Sequence, residues 1–236
     1  MAAIGALIVA LLAAAPGGTN QDCLRIERGL SRALQMAQFE KEPEGTVGKV
    51  FADSRNARQS CPDAEGLAYL YVRSAELGGG ALVGRLLPAG AAELQKITAD
   101  AARRFPSSAR ILTVHARVSR DEGAARRAVA ADPVYLPGRI ALADILVDRG
   151  DWRAAERVLG EGRGLDGTSD GLLVLARVEL AKGDVRGALA TAKRVLTGRK
   201  PELVEPDAGD PRPLLRARAV EEEARARRRS DARVRP

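Results

Sequence analysis

The chain has 236 residues and a formal net charge of +7, with one histidine and two cysteines; 45% of its residues are hydrophobic, 29% charged and 3% aromatic. That balance excludes wholesale disorder, and abundant Ala, Leu, Arg and Glu with little β-branched or aromatic alternation excludes a sheet protein, leaving an all-α fold able to bury a core. Nine arginines and four acids lie from Arg212 onward, so most of the positive excess belongs to the last segment; the body gives weak grounds for a nucleic-acid partner.

Residues Ala2 to Ala15 form an apolar run followed by Pro16-Gly17-Gly18. The run has the length and composition of a signal-peptide core and falls short of the ~20 residues that span a bilayer. Residues 1–18 are therefore read as a signal peptide cut after Gly17 or Gly18, which puts the mature chain in the periplasm or outside the cell. An uncleaved anchor is the alternative, and the one membrane contact expected.

Residues 22–106 read as helical hairpins. Leu24, Ile26, Leu30, Ala33, Leu34 and Ala37 fall mostly on one face of a helix that Pro43 stops after Glu42. A second helix, about Thr46 to Gln59, buries Val47, Val50 and Phe51. If the two pair antiparallel, Cys23 lies beside Cys61 and a disulfide is geometrically reasonable; two unpaired thiols are the alternative. There is no Cys-x-x-Cys motif, and two cysteines with one histidine do not make a structural zinc site, so no metal is expected. Asp63 is placed to cap a third helix running through Leu77, with Leu67, Ala68, Leu70, Tyr71 and Ala75 buried. Gly78-Gly79-Gly80 reads as a turn, since no strand precedes it and no Gly-Lys-Ser/Thr follows. A fourth helix spans about Gly90 to Phe105, and Pro106-Ser107-Ser108 closes it and caps the next.

Residues 107–200 carry a pattern that recurs three times. Ala116, Ala143 and Ala176 are each followed seven residues later by Gly123, Gly150 and Gly183, and five beyond those by Ala128, Ala155 and Ala188. This spacing predicts helix, tight turn, helix, with alanines where the two helices approach closely. The pairs are 108–120 with 123–131, 137–148 with 152–159, and 169–182 with 185–196.

With these residues the chain resembles the tetratricopeptide repeat (TPR) family over residues 109–197. Gly150-Asp151-Trp152 with Ala155 matches the family's turn, Gly183-Asp184-Val185 with Ala188 matches it without the aromatic, and Ala131-Asp132-Pro133 supplies an Asp-Pro ending. The first pair's second helix is short for the family, and Gly162 and Gly164 loosen the end of the second pair. The resemblance implies a right-handed α-solenoid of stacked antiparallel hairpins, whose first helices line a groove for a peptide or partner helix. By position it puts Arg110, Thr113, Arg117, Arg120, Ile140, Asp144, Asp148, Leu173, Arg177 and Leu180 on that groove, where the arginines either clamp carboxylates of a partner or are simply solvated.

Chemistry has little support. His115 aligns with Leu142 and Leu175 in this register and reads as a packing residue; Trp152 takes the aromatic position of its turn; no nucleophile motif or dinucleotide fingerprint occurs. No enzyme activity, small-molecule substrate or cofactor is expected. Residues 201–236 read as a Pro- and acid-rich linker and a charged, partly disordered tail, in which Leu214 to Arg229 forms a solvated helix that either caps the array or stays mobile. The function expected is a non-enzymatic interaction scaffold of the bacterial cell envelope. The alternative is a cytoplasmic or membrane-associated protein whose arginine-rich tail binds nucleic acid or anionic lipid.

Overall fold

The computed structural model describes residues 19–37, 44–78, 90–160, 168–197 and 213–234. Eleven helices and no strands occur among them: α1 Asn20–Ala37, α2 Glu44–Ser60, α3 Glu65–Leu77, α4 Gly90–Arg104, α5 Ala109–Ser119, α6 Glu122–Ala131, α7 Leu136–Asp148, α8 Trp152–Gly160, α9 Ser169–Ala181, α10 Val185–Thr197 and α11 Pro213–Val234. The proposed signal segment 1–18, the Glu42–Pro43 stop, Gly79-Gly80, the two loosening glycines and the 201–212 linker lie outside the described residues. The helices fall into two compact units, Met1–Ser119 and Arg120–Pro236. The division comes between α5 and α6, inside the first sequence pair rather than at residue 106.

In the first unit α1 buries Cys23, Ile26, Leu30, Leu34 and Ala37, an apolar stripe at helical spacing, while Leu24 stays 44% exposed. α3 is buried continuously from Gly66 to Ala75 because it packs against α1, α2, α4 and α5 at once. Its N-cap is Ala64 and not Asp63; Asp63 instead accepts a hydrogen bond from Arg104 of α4 at 2.8 Å. Ser108 caps α5, its Oγ accepting from the Ile111 N–H at 3.3 Å and donating to Glu65 Oε1 at 2.6 Å, which ties the starts of α3 and α5 together. Cys23 and Cys61 form a disulfide between the start of α1 and the residue after α2, with Cα atoms 5.9 Å apart.

In the second unit α7 packs on α6, α8 and α9, and α9 on α8 and α10. Gly150 and Gly183 hold the left-handed backbone that ends α7 and α9, at φ of 81° and 88°. Each is followed by an aspartate whose N–H reaches back five residues, Asp151 to the Leu146 carbonyl at 2.9 Å and Asp184 to the Glu179 carbonyl at 2.8 Å, closing the helix with a Schellman pattern. In the first copy the residue with that backbone is Arg120, at φ 54°, and Gly123 is the second residue of α6. The alignment on Gly123 is thus three residues out of step. Arg120, Gly150 and Gly183 are equivalent; so are Asp121, Asp151 and Asp184, and Ala125, Ala155 and Ala188.

Of the two alternatives for residues 214–229, α11 takes the one that caps the array, and it is solvated on one side only. Ala217, Val220 and Ala224 are buried on one face, Val220 and Ala224 against Leu180, Ala188 and Ala192, and Ala217 against Leu172, Leu173 and Val195. The pairing of later α11 residues with earlier α10 residues makes the two helices antiparallel.

Candidate functional site

The helical period places Asp144 and Asp148 one turn apart on α7, and α9 and the turn before α6 bring an arginine to each side of them. Arg120 Nη1 donates to Asp144 Oδ2 at 3.0 Å, and its Nη2 donates to the Asp144 carbonyl at 3.4 Å and to Asp148 Oδ2. Arg177 Nη1 donates to Asp144 Oδ1 and its Nη2 to Asp148 Oδ1. Each carboxylate therefore sits between two guanidiniums, and each guanidinium bridges two carboxylates, in a closed quartet of zero net charge. Burial works to raise the Asp148 carboxyl, but hydrogen bonds from Arg177 and Arg120 and their charges hold it below the ordinary aspartate value. Burial likewise pulls Arg177 down, and the two aspartates more than reverse it, so its pKa is raised.

The quartet forms one wall of a cavity of about 410 Å³, completed by Leu173 of α9 and by Ala219, Val220 and Glu223 of α11. Asp144, Leu173 and Val220 are buried, while Asp148, Ala219 and Glu223 are exposed. Sequence reading did not assign the α11 residues to a site, although Ala217, Val220 and Ala224 at three- and four-residue spacing carried the signal of an apolar stripe.

The remaining residues read as groove-facing have other settings. Arg117 grips Glu76 of α3 with two hydrogen bonds, Nε to Oε1 at 2.6 Å and Nη2 to Oε2 at 2.8 Å, and Arg73 donates to the same Oε2 at 2.5 Å. Burial pushes the Glu76 carboxyl up, but the charges of Arg117 and Arg73 and their hydrogen bonds outweigh it and hold the pKa below the ordinary value. The Arg110 guanidinium lies 4.0 Å from the centre of the Tyr69 ring. Thr113 is fully buried and donates to the Ala109 carbonyl at 2.7 Å. Ile140 is half-buried, and Leu180 is in the core beneath α11. Thr113, Leu173 and Leu180 thus present almost no surface, and Arg117, Arg120 and Arg177 are committed to carboxylates of this chain.

The packing positions form a uniform set, with Ala116, Ala128, Ala143, Ala155, Ala176 and Ala188 each 0% exposed. Trp152 is half-buried under the guanidinium of Arg153, 4.6 Å from its ring. His115 is half-buried, its Nδ1 3.3 Å from the Thr98 hydroxyl; in the corrected register it is equivalent to the buried Ile145 and Val178, not to Leu142 and Leu175.

No family model and no curated protein matches the chain. A solved structure does: the crystal structure of TTC0263, a thermophilic TPR protein in Thermus thermophilus, superposes with a TM-score of 0.59 at 16% identity, covering 85% of this chain and 99% of that one. Together with the neighbouring helix packing, this likeness shows a TPR-like helical-repeat fold.

Proposed function

We propose that this TPR-like chain is a protein–protein interaction scaffold without catalytic activity, that it takes a partner segment at the cavity between α7, α9 and α11, and that it works in the bacterial cell envelope. The observation that carries the reading is the cavity itself, open to solvent and walled by the first helices of two successive hairpins. Its charged wall is self-satisfied and Leu173 and Val220 are buried, so the partner is recognised by shape at the exposed rim around Ala219, not through an acidic side chain. That differs from a carboxylate clamp, which needs guanidiniums with free donors.

Export is supported by the apolar run Ala2 to Ala15 and by the pairing of the two cysteines, a bond that persists in oxidising compartments. The mass of the mature protein without reductant tests it: export predicts loss of the first 17 or 18 residues and a further deficit of ~2 Da for the disulfide. A full-length, fully reduced chain would contradict it. Binding is tested by filling the cavity. Ala219→Trp alters an exposed position outside the quartet, and a partner recovered from cell envelopes with the unaltered protein should be lost with this variant; equal recovery would remove the cavity from the reading.

A further inference from the structure

We propose that α10 and α11 build a second, cationic binding site that takes an acidic, leucine-bearing peptide segment of a partner protein. The site follows from the way α11 docks. Antiparallel packing of Val220 and Ala224 on Ala188 and Ala192 brings the arginine-rich half of α11 beside α10. A cleft of about 470 Å³ opens there, lined by Leu189, Lys193, Arg225, Arg228 and Arg229. Leu189 is half-buried against the α9–α11 core and offers an apolar floor.

The four cations around that floor have no carboxylate among the lining residues. Arg225 is engaged with Glu221 on its own helix at 2.6 Å, whereas Lys193, Arg228 and Arg229 are exposed and make no ion pair with any described residue. This is the reverse of the α7–α9 cavity, where every guanidinium is neutralised. An occupant must therefore supply negative charge at the rim and an apolar side chain at the centre. A glutamate-rich segment carrying leucine does both. The lining has no aromatic ring on which a nucleic-acid base could stack, and the floor at Leu189 asks for an apolar side chain between the charges.

This inference rests on the scaffold reading only in taking the occupant to be a protein segment, and its test is independent of that reading. The probe is a short fluorescein-labelled peptide of alternating glutamate and leucine, titrated with the full chain and followed by anisotropy. The comparison proteins are Lys193→Ala/Arg228→Ala/Arg229→Ala and Ala219→Trp. The expected result is saturable binding, weakened about tenfold or more by the triple variant, unchanged by Ala219→Trp, and diminished between about 50 mM and about 500 mM salt. All three altered cations are exposed, so the triple variant keeps the melting temperature of the parent, and loss of binding then reports the cleft. Absence of binding, or binding that the triple variant leaves intact, overturns the site. Tighter binding of a single-stranded oligonucleotide or of anionic vesicles, lost in the same variant, overturns the peptide assignment. None of these outcomes bears on envelope capture through the other cavity.

Discussion

Asp121, Asp151 and Asp184 do the same work in the three turns. Their Oδ1 atoms accept the N–H groups of Gly123, Ala154 and Gly187 at 2.8, 3.0 and 2.9 Å, capping the following helix. The residue before each carries the left-handed backbone, supplied twice by glycine and once by Arg120. Gly183→Ala isolates that requirement, because a Cβ there would meet nothing within 4 Å. The variant should lose about 1–2 kcal/mol of stability in the second unit from backbone strain alone, read by urea unfolding. Glu76 makes a second residue-scale prediction. Its pKa is depressed in the folded chain, so it stabilises the first unit above its unfolded value, 4.5, and that contribution is lost as pH falls through the folded value. Glu76→Gln should cost about 3 kcal/mol near neutrality, since Arg117 and Arg73 lose a carboxylate in a buried setting. Unfolding curves between about pH 6 and about pH 3 should show the parent converging on the variant as acid is added.

At the scale of elements, what was legible in sequence followed periodicity. The helices of the three pairs lie within a residue or two of their expected ends, because apolar spacing and turn residues are local signals. Register in the first pair was not legible: Ala116 and Gly123 matched the pattern by composition, while the residue bearing the turn conformation was an arginine. The carboxylate partners of Arg117, Arg120 and Arg177 were not legible for a different reason. The type and face of the arginines were readable, but their partners Glu76, Asp144 and Asp148 lie 24 to 41 residues away in the chain, a distance over which only tertiary packing acts. α11 was obscured because its buried stripe consists of small residues among charges. Val220→Asp puts a carboxylate at a position 7% exposed and should cost about 3 kcal/mol, releasing α11. Trypsin should then cut at the arginines of 216–229 well before the rest of the second unit, whereas the parent should lose them no faster than the helices beneath.

For the whole molecule, the TPR-like fold carries two clefts that α11 completes, one walled by the Arg120–Asp144–Asp148–Arg177 quartet and the other apolar-floored and cationic, and the proposed binding role rests on them. If the α7–α9–α11 cavity receives another protein, a photo-activatable phenylalanine analogue at Ala219, irradiated in intact cells, should give a discrete adduct with a second protein, and the same analogue at the exposed Arg126 of α6 should give none. No adduct at 219, or the same adducts from both positions, would remove the cavity as the site of binding.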